Sequence, residues 1–298
     1  MTADGIAHAE LRLDGQWPWL QNGGYEHAEQ DGVLNQLAEL SECGNLNDCQ
    51  LAICLESSHF NLSFIETPAV EQSELLQALT WKVKDLIDYP LEELVLDYVD
   101  VPVTKSGNAM VYTVTARESS IRRIIDHIHA TAWELERIDI PALALQNVLA
   151  RLPQSEEGIA LLNLTRRDSL LTLGRGDKLY LSRSVDIRST DLTGMQHRQD
   201  EVRDTILFDN LLLDIQRSLD YYDSYFVDPP IRHLVISNPD HAFDALVEYL
   251  DQNLAIEARG FTLEEIAGIA EGLVIDRENF GELMLAVGAA LCPADLDS

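Results

Sequence analysis

Three apolar runs of strand length, IALLNL, LLTL and KLYLSRSVDI, follow one another between residues 158 and 187. They are separated by the polar turns Arg167-Asp168 and Gly174-Arg175-Gly176-Asp177. Apolar runs broken by such turns predict a three-stranded antiparallel meander, and a sheet this apolar must be covered on its faces. The stretch that follows supplies the cover. Its pattern predicts a long helix over residues 199–226, a buried strand over 231–237 and a second helix over 240–250.

Upstream, residues 6–13 alternate apolar and polar positions as a half-buried strand does. Trp17-Pro18-Trp19 and Asn22-Gly23-Gly24 read as turns. Residues 32–42 form an amphipathic helix with Val33, Leu34, Leu37 and Leu40 on one face, and 51–55 a buried strand. This opening strand, helix, strand is short by at least one strand for a complete lobe. A strand over 60–65 ends at Thr67-Pro68. A helix over 72–87 then carries Leu75, Leu76, Leu79, Val83 and Leu86 until Tyr89-Pro90 stops it, because a residue before proline avoids the helical region. Strands over 94–101 and 110–115 complete a compact unit over about 57–116. Beyond it come an amphipathic helix over 119–130, a strand near 135–140, and a helix opened by Pro141, which suits a first turn that needs no intrahelical donor. Pro153-Gln154-Ser155-Glu156-Glu157 marks a boundary between residues 1–153 and 154–298. A short strand over 254–257, a helix started by a Thr262/Glu265 capping box and a closing helix over 280–291 finish the chain.

The formal charge is −30, from 51 acidic against 21 basic residues spread along the chain. Nucleic acid or anionic lipid would be repelled over most of such a surface, so neither is expected as a partner. A basic partner fits better. No window approaches the ~20 apolar residues of a membrane helix. The first residues lack the parts of a signal peptide, so a cytoplasmic protein without membrane insertion is expected. Cys43, Cys49, Cys54 and Cys292 have neither zinc nor redox spacing. His127 and His129, two apart on a helix, point to different faces and make no metal pair. Gly174-Arg175-Gly176 is too short for a dinucleotide loop. No group demands an enzyme.

The stretch TWKVKDLIDYPLEELVLDYVDVP, residues 80–102, resembles the PilM family of type IV pilus assembly proteins. In that family a helix ends in an aromatic-Pro-Leu-Glu-Glu turn and enters a Val-Leu-Asp-Tyr strand. The similarity continues through MVYTVTARESSIRRIIDHIHATAWELERIDIPALALQNVL, the meander, LLLDIQRSLDYYDSYF and FGELMLAVGAAL, and so covers nearly the whole chain. The branch it resembles most is that of the mannose-sensitive haemagglutinin (MSHA) pilus, the MshI-like proteins. The resemblance implies an α/β fold with mixed sheets: the two-lobed actin-like ATPase (ribonuclease H-like) fold, with a small α+β subdomain inserted in the first lobe.

It also implies two sites. A family nucleotide site would use Asp4 and Gly5 in a first phosphate turn, Asn163, Thr165, Arg166 and Arg167 in a second, and Ser237 and Asn238 beside adenosine. Each departs from the family pattern. Thr2-Ala3-Asp4-Gly5 lacks a small-residue run, Asn163 stands where the family has Asp, and Arg166 and Arg167 replace small residues. Pro239 follows Ser237-Asn238 where the family has paired glycines, and it removes a donor. The expectation is a pseudo-ATPase with no cofactor. The second site is a groove for the cytoplasmic N-terminal tail of an inner-membrane PilN-like protein, lined by Ile53, Leu55, Leu62, Phe64, Leu79, Val83, Leu96, Tyr98 and Tyr112. Acidic residues near it, among them Glu56, Glu66, Asp97 and Asp100, would steer a basic tail. The implied role is a non-catalytic scaffold of a type IV pilus platform, peripheral at the inner membrane. The alternatives are an ATP-binding protein of the PilM type and the cytoplasmic domain of a type II secretion platform protein.

Overall fold

The computed structural model describes residues 4–15, 17–28, 32–43, 49–131, 133–193 and 201–291. Cys292, the Thr2-Ala3 part of the first turn, the start of the helix expected from 199 and the side chain of Cys43 lie outside that description. In chain order the strands are β1 (Gly5–Asp14), β2 (Trp17–His27), β3 (Gln50–Cys54), β4 (Phe60–Glu66), β5 (Leu94–Asp100), β6 (Met110–Arg117), β7 (Glu134–Asp139), β8 (Ile159–Asn163), β9 (Leu170–Arg175), β10 (Lys178–Ser184), β11 (His233–Ser237), β12 (Glu257–Phe261) and β13 (Gly268–Ile269). The helices are α1 (Val33–Cys43), α2 (Gln72–Val83), α3 (Glu118–His129), α4 (Pro141–Arg151), α5 (Ser189–Thr193), α6 (Glu201–Tyr225), α7 (Asp244–Asn253) and α8 (Phe280–Ala290).

The chain divides into two compact units. One takes the described residues of Met1–Ile6, His27–Ile138 and Tyr225–Val227, and the other those of Ala7–Glu26, Asp139–Ser224 and Asp228–Ser298. Helix α4 therefore belongs with the meander, although it precedes the boundary read at residue 153. The reason is its apolar face: Leu145, Val148, Leu149 and Leu152 are buried in one core with Ile159 and Leu161 of β8 and Leu283, Met284 and Val287 of α8.

In the first unit, β4, β6 and β5 form an antiparallel sheet with β6 in the centre. Its register pairs Phe64 with Tyr112 and Tyr98 with Thr113. Helix α2 covers one face, where Leu75 and Leu79 pack on Val111, Ile65, Leu96 and Tyr98. The Gln72 side-chain amide donates to the Tyr98 hydroxyl at 2.7 Å, fixing the start of that helix over β5. A second core gathers Ile53 and Leu55 with Ile124 and Ile128 of α3, beside the two-stranded sheet of β3 and β7.

In the second unit a mixed five-stranded sheet runs β10-β9-β8-β11-β12, with β11 parallel to both neighbours. The meander is as expected. The two-residue turn Gly176-Asp177 joins β9 to β10, and Gly176 takes a left-handed φ of 54° there. Helices α4 and α8 meet closely: a Cβ on Gly288 would lie 2.1 Å from the Ala144 carbonyl oxygen.

Three expectations are corrected. The residues read as turns, Trp17-Pro18-Trp19 and Asn22-Gly23-Gly24, form the continuous strand β2. Its glycine serves close packing, since a Cβ on Gly23 would sit 3.0 Å from a Leu283 methyl and 3.3 Å from the His8 carbonyl oxygen. The Thr262/Glu265 capping box is present but closes only a 3₁₀ turn, Leu263–Glu265. The strand expected at 254–257 lies later, at Glu257–Phe261, where it pairs with β11.

Candidate functional site

The nine residues expected in a peptide groove fall in three places within the first unit. Ile53 and Leu55 are each 4% exposed and belong to the core on α3. Leu79 and Val83 are fully buried, and Leu96 and Tyr98 lie on the sheet face that α2 covers. Leu62, Phe64 and Tyr112 share the opposite face, because paired residues in an antiparallel ladder point the same way. That face continues across β6 and β5 through Val114, Val95, Asp97 and Val99. The Phe64 ring lies tilted against Tyr112, centres 5.0 Å apart, and meets Tyr225 edge to face at 5.6 Å, closing the β4 side. Towards β5 the surface opens: Val99, Val114 and Leu62 are half-buried, Val95 is 38% exposed, and Asp97 is exposed among them. An apolar strip on an edge strand with one carboxylate in it can take an apolar extended segment carrying a positive charge. Val95, Val99 and Val114 lie on strands expected to line the groove, although none of the three was singled out there.

The nucleotide-type residues also divide. Asp4 and Gly5 belong to the first unit, where the Asp4 carbonyl accepts a hydrogen bond from the Ala28 amide at 3.0 Å. Asn163, Thr165, Arg166, Arg167, Ser237 and Asn238 belong to the second. There the six-residue connection from β8 to β9 satisfies its own amides. The Leu164 amide donates to the Ser237 hydroxyl at 3.2 Å, Thr165 to the Ser169 hydroxyl at 3.0 Å, and Arg166 to the Glu282 carboxylate at 2.9 Å. The amides of Arg167 and Asp168 both donate to the Thr165 hydroxyl, at 3.3 and 3.0 Å. A phosphate cradle presents backbone N–H groups outward to an anion. Here five in succession are bound by side chains of the same unit.

Neighbouring groups are held in the same manner. The Asn163 amide, fully buried, donates to the Gly281 carbonyl at 3.0 Å. Arg166 reaches the Asn279 side-chain oxygen at 3.2 Å and lies 5.8 Å from the Tyr25 ring centre. A Cβ on Gly281 would meet the Leu164 carbonyl oxygen at 2.0 Å, so the turn lies directly against the first turn of α8. Asn238 is 3% exposed and accepts from the Phe243 amide at 2.7 Å while donating to the Asp244 carboxylate at 2.8 Å, which ties the end of β11 to the start of α7. Among the described residues no three His, Cys, Asp or Glu side chains gather as metal ligands. The residues at this position do not fit Mg-ATP. The amides of the 164–168 turn are engaged, Asn163 stands where the resemblance implies an acid and is bound through its side-chain amide to α8, and Asn238 is held by the loop ahead of α7.

No protein-family model matches the sequence, and no curated protein does. Among solved structures, a chain of the "PilM-PilN type IV pilus biogenesis complex" superposes with a TM-score of 0.69 at 18% identity, over 98% of this chain and 96% of that one. The cytoplasmic domain of EpsL, an inner-membrane component of the type II secretion system of Vibrio cholerae, gives a TM-score of 0.48 at 13% identity, over 96% of this chain and 94% of that one. A Bacteroides thetaiotaomicron protein of actin-like ATPase fold and unknown function gives 0.45 at 10% identity, over 88% and 92%. Among the described residues no helix is long and apolar enough to cross a membrane. The mixed α/β, actin-like ATPase fold expected from the sequence is the fold of this chain, shared along nearly its whole length with a chain of a type IV pilus biogenesis complex.

Proposed function

We propose that this protein is a non-catalytic cytoplasmic scaffold of a type IV pilus assembly platform of the MSHA kind, held at the inner membrane by a PilN-like protein whose N-terminal cytoplasmic tail it binds. The observation that carries this reading is the fold shared over 98% of the chain with a protein solved in a PilM–PilN complex. The engaged amides of residues 164–168 support the non-catalytic part, since a nucleotide's phosphates would find no donors presented to them.

The tail's place in this reading is the open sheet face of Leu62, Val95, Val99 and Val114. Asp97 in its midst and a net charge of −30 favour a tail with basic residues. The test is fluorescence anisotropy of the full chain with a labelled synthetic peptide of the PilN-like tail from the same organism. Binding is expected to weaken at least about tenfold in Val99→Asp, which places a second charge at a half-buried position without opening a core. Leu76→Ser, on the outer side of α2, should leave it unchanged. Equal binding by Val99→Asp would place the tail elsewhere. No binding by the wild-type chain would remove the partner assignment.

A further inference from the structure

We infer that Glu282 supplies, from within the chain, the anion that the 164–168 turn and the N-terminus of α8 would otherwise hold. This inference rests on the non-catalytic reading and gives its cause. Glu282 stands in the first turn of α8 and is 4% exposed. A carboxylate so deeply buried is costly unless its charge is met. Its Oε1 accepts the Arg166 amide at 2.9 Å, and the helix N-terminus adds its positive end. Beside it Arg166 is tethered to Asn279, the residue immediately before the helix.

The same arrangement excludes an external phosphate on two grounds. The first is charge: a phosphate would have to approach a fixed carboxylate, and the buried Asn163 Oδ1, which has no hydrogen-bond partner among the described residues, presents a second acceptor nearby on the amide bound to Gly281. The second is space. The Leu164 carbonyl lies so close to Gly281 that not even a methyl fits between the turn and the helix. Glu282 thus closes the place electrostatically and ties the end of β8 to α8, turning a ligand position into a structural joint.

The experiment measures the thermal midpoint of the full chain as wild type, Glu282→Ala and Glu282→Gln. Each is measured in chloride, in inorganic phosphate at matched ionic strength, and with Mg-ATP. The wild type should show no shift with phosphate or Mg-ATP beyond the chloride baseline. Glu282→Ala should lose at least about 4 °C in chloride and recover a substantial part of it in phosphate, which can re-occupy the vacated donors. Glu282→Gln keeps an acceptor for the Arg166 amide and fills the place, so it should lose less and recover nothing in phosphate. Should Glu282→Ala fail to fold in chloride, its refolding yield in phosphate against chloride asks the same question. A midpoint raised by Mg-ATP in the wild type would overturn both the non-catalytic reading and this inference. An unshifted wild type, with a Glu282→Ala variant that phosphate does not rescue or a Glu282→Gln variant that it rescues equally, would overturn the inference alone.

Discussion

Replacing Gly281 by alanine sets two opposed effects against each other. Gly281 lies in the first turn of α8, and helix propensity alone makes Gly→Ala stabilising by about 0.5–1 kcal/mol. The contact predicts the reverse. The new Cβ would fall 2.0 Å from the Leu164 carbonyl oxygen, 2.7 Å from its carbon and 3.0 Å from the Thr165 Cα. All three are backbone atoms of a turn pinned by Ser237, Ser169 and Glu282, so no flexible side chain can step aside. Overpacking in a well-filled interior costs typically about 1–3 kcal/mol. A collision with pinned backbone belongs at or above the top of that range, leaving a net loss of about 2 kcal/mol or more. For a unit of this size that is a fall of roughly 4–8 °C in the unfolding midpoint. Gly24→Ala is the control: its Cβ would meet only the His8 ring, at 3.4 Å, and it should stay within about 0.5 kcal/mol of wild type. Calorimetry or urea unfolding decides. If Gly281→Ala proves as stable as wild type, the turn is not seated on α8 as described, and the account of the closed anion place loses its steric half.

Two further outcomes are expected. Leu79→Ala should cost about 2–5 kcal/mol in urea unfolding, because Leu79 is fully buried against Val111, whereas Leu76→Ala on the same helix, at an exposed position, should cost less than about 0.5 kcal/mol. Similar losses for the two would mean that α2 does not cover the sheet with the face assigned to it. Burial holds the His8 imidazole below its ordinary value of 6.5, with Glu26 opposing, so the unfolded chain takes up this proton before the folded one. The contribution of neutral His8 is therefore present above pH 6.5 and lost as pH falls below it. The unfolding midpoint of wild type should drop more steeply between about pH 7.5 and 5.5 than that of His8→Gln, and parallel curves would refute the assignment.

Most elements were legible because their periodicity was strong: α2, α3, α4, α8 and all three meander strands lie within a few residues of their expected places. The parity of β5 was not. Leu94, Leu96 and Tyr98 alternate with Val95, Asp97 and Val99, so both faces of the strand are apolar enough to be the covered one, and only pairing with β6 decides between them. Leu96 and Tyr98, expected in a groove, lie on the face that α2 covers, and Val95 and Val99 lie on the other. β2 was hidden for a different reason. Its Pro18, Gly23 and Gly24 carry turn chemistry, and the close approach of His8 and Leu283 that makes glycine useful there is set by residues distant in sequence. At the nucleotide position the departures of Asn163, Arg166 and Pro239 were legible from residue type. The part of Glu282 was not, because 116 residues separate it from the amide it binds.

The pairing of β13 with β2, Gly268 beside Trp19 and Ile269 beside Leu20, bears on how the chain is made. Leu20 shares its core with Phe280, Leu283, Met284 and Val287. During synthesis β2 leaves the ribosome long before the residues that bury Leu20, and until then that apolar side chain faces solvent. Contacts of such long range close slowly, and exposed strand edges invite association while they wait. Chains stopped short of α8 should therefore accumulate in the insoluble fraction, and chaperone dependence should fall sharply once residue 291 has cleared the exit tunnel.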